Sequence, residues 1–227
     1  MLNGMWNKGL VLGIIMLFVG ASFIPSISGN VEIIKDISEQ NICDNTVNTL
    51  SIDTLYVDNE GDGNYKTIQA AIDAANESDT IIVYSGTYVE NVIVDKRVNL
   101  IGNNTELGAG NDTGKPIVDG NNTGDVIDLA ADKIYLSGFK ITNSAGLELD
   151  TGSYKGIRIR TDFNTITGNE ITKNNCHGIG SVGSNNTITN NIISHNKVCG
   201  YAQFRKSINN TIVGNTFIRN GIGISPT

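Results

Sequence analysis

The residues best suited to soft-metal chemistry are gathered in one short stretch. Both histidines, His177 and His195, and two of the three cysteines, Cys176 and Cys199, fall between positions 176 and 199. Imidazole and thiolate together suit copper or zinc. His177 and Cys199 are 22 residues apart, so a 22-residue structural period stacks them about 5 Å apart. Cys176 and Cys199 could instead form a disulfide, or all three side chains are inert. A second group, Arg158 and Arg160, is spaced for one face of a strand, where outward charges are also the ordinary outcome. A third, Asp58-Asn-Glu60-Gly-Asp62-Gly63, opens like a calcium loop, but position twelve is Gln69 where a bidentate Glu is needed. That segment is expected to be a turn.

What would position these groups is a repeat. Asn164-Thr-Ile-Thr-Gly-Asn-Glu-Ile-Thr-Lys-Asn174, Asn186-Thr-Ile-Thr-Asn-Asn-Ile-Ile-Ser-His-Asn196 and Asn210-Thr-Ile-Val-Gly-Asn-Thr-Phe-Ile-Arg-Asn220 align at offsets of 22 and 24 residues. A Gly and an apolar residue follow each: Gly178-Ile179, Gly200-Tyr201 and Gly223-Ile224. One such unit cannot bury its few apolar side chains, but stacked units join them into internal columns. Turn asparagines tolerate left-handed backbone and stack into hydrogen-bonded ladders. Asn169, Asn191 and Asn215 form one expected ladder; Asn174, Asn196 and Asn220 form another. The fold class is therefore all-β, a right-handed parallel β-helix with a short N-terminal capping helix. Ile68, Ala71, Ile72 and Ala75 supply the helical spacing of that cap, expected over about residues 67–76 with Thr67 as its N-cap. The insertion from Thr105 to Lys115 reads as a loop off one coil.

Residues 1–29 are of different material. Lys8 precedes the apolar run Leu10–Ile24, and small residues follow through Gly29. That is the layout of a secretory signal, with an uncleaved anchor over Leu10–Ile27 as the alternative. The organisation expected is a signal at 1–29, a polar leader at 30–54 and the β-helix at 55–227. The repeats are clearest over 164–227, and the C-terminal end carries no cap. That open end predicts self-association or further sequence beyond it. A secreted or cell-surface location follows, with no membrane contact beyond the signal. Six Asn-x-Ser/Thr sequons, at Asn76, Asn103, Asn111, Asn121, Asn185 and Asn209, then become candidates for glycosylation. A net charge of -7 argues against a nucleic-acid partner.

Leu55-Tyr-Val-Asp-Asn-Glu-Gly-Asp-Gly-Asn-Tyr-Lys-Thr-Ile-Gln-Ala-Ala-Ile-Asp-Ala-Ala75, Ser85-Gly-Thr-Tyr-Val-Glu-Asn91 and Asn99-Leu-Ile-Gly102 resemble the opening of pectin-lyase-like β-helix proteins. Within that superfamily the chain looks most like NosD-type and carbohydrate-binding surface β-helices. The resemblance implies a polysaccharide or surface glycan as ligand. The superfamily's enzymes offer templates that this chain does not complete. Thr161-Asp162-Phe163 lacks the Gln-Asp partner of the methylesterases. His177-Gly178 lacks the upstream Asp pair of the polygalacturonases. Arg158 and Arg160 lack the calcium-binding Asp cluster of the pectate lyases. The expectation is a binding or structural module with no intact catalytic constellation and no obligate cofactor. Copper, at His177, Cys199 and Cys176, or calcium remain as alternatives, as does a polysaccharide lyase or hydrolase.

Overall fold

The computed structural model describes residues 51–148, 152–204 and 207–226. The expected signal and most of the leader lie outside them. Alternating short β-branched and apolar runs give strands that are numbered in chain order, arranged in three parallel sheets. The first sheet stacks β1 (Thr54–Val57), β2 (Thr80–Val83), β5 (Asn99–Gly102), β8 (Tyr135–Ser137), β13 (Thr165–Thr167), β16 (Thr187–Thr189) and β19 (Thr211–Val213). The second stacks β3 (Thr87–Val89), β6 (Ile117–Asp119), β9 (Lys140–Thr142), β14 (Glu170–Thr172), β17 (Ile192–Ser194) and β20 (Thr216–Ile218). The third stacks β4 (Val92–Val94), β7 (Ile127–Leu129), β12 (Lys155–Ile159), β15 (His177–Ser181), β18 (Cys199–Gln203) and β21 (Ile222–Pro226). From β2 onward each turn of the chain contributes one strand to each sheet, which is a parallel β-helix. The leader ends earlier than the sequence suggested, because Thr54 already belongs to β1.

The register makes the core continuous. Leu55, Ile81, Leu100, Leu136, Ile166, Ile188 and Ile212 are successive partners in one column of the first sheet. All are buried except Ile212, which is half-buried on the last coil. Tyr88, Val118, Ile141, Ile171, Ile193 and Phe217 form the column of the second sheet. Ile218, Ile222 and Ile224 are exposed on that last coil.

The capping helix α1 is shorter than expected, Ile68–Ala74, with Thr67 accepting from the Ala70 amide at 3.3 Å. Both of its ends are answered by charge. The Glu90 carboxylate accepts from the Ile68 and Gln69 amides at 2.8 and 3.1 Å. The Lys96 ammonium donates to the carbonyls of Ile72, Asp73 and Ala75 at 2.8–3.0 Å. These signs complement the helix dipole. Gln69 sits inside this helix, where it cannot close a calcium loop.

Asparagine ladders run along three corners. Asn169 donates its side-chain amide to Asn191 Oδ1 at 3.1 Å, and Asn191 donates to Asn215 Oδ1 at 2.9 Å. Asn174, Asn196 and Asn220 repeat this at 3.0 and 2.9 Å. The third row, Asn164, Asn186 and Asn210, joins backbone N–H to side-chain oxygen at 2.8 Å in both steps. The residue before each ladder Asn has positive φ, as at Gly168 (67°), Lys173 (56°) and Asn185 (58°). A five-residue unit therefore recurs within each of the last three coils: ladder Asn, outward, inward, outward, left-handed corner. The insertion after β5 is a loop, and a two-residue antiparallel hairpin, β10 (Leu147–Glu148) with β11 (Gly152–Ser153), leaves the coil before β12.

Candidate functional site

Two outer surfaces gather polar and aromatic groups. The first is a cavity of about 240 Å³ lined by Tyr56, Asp62, Gly63, Asn64, Tyr84 and Leu107. Strand alternation sends Leu55 and Val57 inward and Tyr56 outward. Tyr84 follows β2 directly, and the two rings stand 6.3 Å apart at 45°. The loop after β1 is shaped by Asp58, whose Oδ2 accepts from the Gly61 and Asp62 amides at 2.8 and 2.9 Å. Asn64 Oδ1 accepts from the Tyr56 amide at 3.1 Å. Leu107 comes from the insertion, pinned where Asp62 Oδ2 accepts from the Ala109 amide at 3.2 Å. Glu106 ties the same loop by accepting from the Leu107 and Asp112 amides. The cavity wall is consequently acidic. Desolvation first, and then the carboxylates of Glu106, Asp112, Asp58 and Asp62, raise the Glu60 carboxyl above its ordinary value.

The second surface is the outer face of the third sheet. Arg158 and Arg160 both point outward, and each meets an acid of the preceding coil: Arg158 with Asp125 at 3.3 Å, Arg160 with Asp128 at 2.6 Å. The sequence reading missed these partners because the intervening hairpin lengthens that coil. Burial raises the Asp128 carboxyl despite its Arg160 partner. Nearby, the Lys155 stem crosses the next coil at Gly180, where an added Cβ would lie 2.8–3.0 Å from it. The Lys155 ammonium donates to the Ser153 carbonyl and stands 5.3 Å from the Phe204 ring. His177 meets Phe204 edge-on at 5.8 Å, and its buried Nδ1 has no hydrogen-bond partner.

The strand register sets His177 opposite Cys199, two residues before the Ile179–Tyr201 pair. The bridge weighed between Cys176 and Cys199 is not formed: both are buried free thiols. The Val198 amide bonds to the Cys176 carbonyl, so Cys199 is one residue out of register with Cys176. Burial raises both thiols, holding them protonated. Among the described residues no group of three or more His, Cys, Asp or Glu side chains is placed to hold a metal ion. Of the sequon asparagines, Asn76, Asn111, Asn121 and Asn209 are exposed, while Asn103 and Asn185 are half-buried. Asp162 and Phe163 lie at a coil corner, where Asp162 Oδ1 accepts from the Ser184 amide at 2.7 Å.

His177 also carries a pH prediction. Burial, then the neighbouring Lys155 ammonium, pulls its pKa below the usual value of 6.5. The unfolded chain therefore takes up the proton first as pH falls, and stability is lost from about pH 6.5 down to the lowered folded value. Melting temperatures of the parent and His177→Gln should converge as pH drops through that window. Parallel melting curves would disprove the linkage.

Residues 117–226 match the family described as "right handed beta helix region". No curated protein matches the chain by sequence. Among solved structures, an alginate lyase from Paenibacillus sp. str. FPU-7 superposes with a TM-score of 0.50 at 17% identity, over 76% of this chain. The chain spans 59% of that enzyme's length. A pectin methylesterase from Aspergillus niger aligns at 16% identity with a TM-score of 0.40, over 77% of this chain and 67% of its own. With three stacked parallel sheets, inward columns and the match over residues 117–226 in agreement, the described residues fold as a right-handed parallel β-helix.

Proposed function

We propose that this protein is an exported, non-catalytic carbohydrate-binding β-helix of the cell surface, with residues 1–29 as its secretion signal. The observation that carries the reading is the outward cavity in which Tyr56 and Tyr84 stand beside Asp62 and Asn64. Sugar rings present apolar C–H faces and a rim of hydroxyls. Paired aromatic rings cover the faces, and carboxylate and amide oxygens receive the hydroxyls. A rigid stack of coils places these groups in advance, which lowers the ordering cost of binding.

The test is an oligosaccharide binding screen on the full chain, with chain cleavage monitored in the same incubations. A retained glycan is expected, and Tyr84→Ala should weaken it about tenfold by removing one aromatic face. Absence of any glycan, or indifference to Tyr84→Ala, would refute this reading. A second reading, a polysaccharide lyase or hydrolase, draws support from Asp125 and Asp128 beside Arg158 and Arg160 on one outer sheet. Cleavage of the retained glycan would favour it. A NosD-type copper role would rest on the His177–Cys199 pair alone.

A further inference from the structure

The charge around the Tyr56–Tyr84 cavity says more about its ligand than its shape does. Asp62 lines the cavity directly. Beyond desolvation, Glu106, Asp112, Asp58 and Asp62 lie close enough to raise the Glu60 carboxyl, so five acids share one corner. The Glu60 and Glu106 carboxylates converge on Gly110, where a Cβ would lie 2.5 Å from Glu60 Oε2 and 2.8 Å from Glu106 Oε2. No Lys or Arg lines the cavity. Lys66 lays its ammonium against Gly61, on the same loop as Glu60.

A corner with five acids and two tyrosine faces is arranged for positive charge. Aromatic faces attract cations through their quadrupole, and an ammonium group is a set of donors with no acceptor. A uronate brought here would meet like charge.

We propose that the cavity selects a sugar bearing a protonated amine, an amino sugar, over a uronic acid. The cavity, at about 240 Å³, is smaller than the about 300–1,000 Å³ typical of drug-sized ligand sites. One amino-sugar ring is the unit that fits. Its face packs on Tyr56 or Tyr84, and its ammonium faces Asp62. This rests on the glycan reading above but narrows it to a charge class.

Calorimetry on the full chain would compare glucosamine oligomers carrying free amines, their N-acetylated counterparts and oligogalacturonate of equal length. Tetramethylammonium chloride serves as a cation without a sugar, read by tyrosine fluorescence. The free-amine oligomer should bind about tenfold tighter than the N-acetylated one, since a charged partner replaces a neutral one at an aromatic and acidic wall. Oligogalacturonate should bind weakest. Asp62→Asn keeps an acceptor for Ala109 and should erase most of the preference. Glu60→Gln, at an exposed position, should reduce it about threefold at low salt and leave the melting temperature unchanged. Equal binding of amine and N-acetyl oligomers would overturn the inference and leave the glycan reading standing. Tighter oligogalacturonate binding would do the same. A response to tetramethylammonium with no glycan bound would uphold the cation site and refute the glycan reading. No response to any of the four would refute both.

Discussion

Asn191→Ala should destabilise the protein by about 2–4 kcal/mol, as measured by urea unfolding followed by far-UV circular dichroism. Asn191 is 1% exposed, and its side chain makes four hydrogen bonds. It accepts from the backbone and side-chain amides of Asn169 at 2.9 and 3.1 Å, and donates to Ile166 O and Asn215 Oδ1 at 2.9 Å each. Alanine would leave the buried Asn169 backbone amide without its acceptor, and a missing partner costs more than a made bond returns. The neighbouring Asn190 is an exposed corner residue with φ 56°. Asn190→Gly suits that backbone and should stay within about 0.5 kcal/mol of the parent. Equal effects for the two substitutions would show that the ladder contributes nothing particular to stability.

Gly178→Ala is expected to cost about 2–3 kcal/mol by the same measurement, a large effect for one methyl group. The added Cβ would lie 2.7 Å from the Gly200 carbonyl oxygen, 2.7 Å from Asn196 Nδ2 and 3.0 Å from Ile193 Cγ2. One of these is backbone of the next coil and another is a ladder amide, so neither can yield without breaking hydrogen bonds. Gly156 and Gly200 meet the same surroundings on their own coils. The comparison is Gly168→Ala. Gly168 has φ 67° with nothing within 4 Å of its would-be Cβ, so only backbone strain of about 1 kcal/mol applies. If Gly168→Ala proves the more damaging of the two, coil-to-coil contact is not what requires glycine at 178.

The inward columns and two of the ladders were legible because the clearest repeats keep step over three successive units. Ile166, Ile188 and Ile212 recur at the offsets of the whole unit, and so do Asn169, Asn191 and Asn215. The ladder at Asn164, Asn186 and Asn210 was hidden by doublets. Asn185-Asn186 and Asn209-Asn210 do not reveal which residue turns and which stacks. In the structure the first of each pair takes positive φ and the second joins the row. The tyrosine cavity was not legible for a different reason. Its parts come from β1, the residue after β2, the following loop and the insertion, which are brought together by irregular early coils that share no fixed offset. The Arg158–Asp125 and Arg160–Asp128 pairs span 33 and 32 residues, outside the 22-residue comparison that exposes other neighbours. Two-residue strands such as β10 and β11 are too short to carry any alternation.

The irregular coil lengths have a consequence of their own. Extra residues enter at all three corners: the loop of 103–116 between the first and second sheets, the β10–β11 hairpin between the second and third, and a two-residue excess near Ser207 between the third and first. After each interruption the chain resumes its metre, and the partners of Ile141, Ile157 and Ile188 fall into place as if nothing had been added. The strands must count and the corners need not. New surface can therefore be written at any of the three edges while the column inside keeps the same grammar.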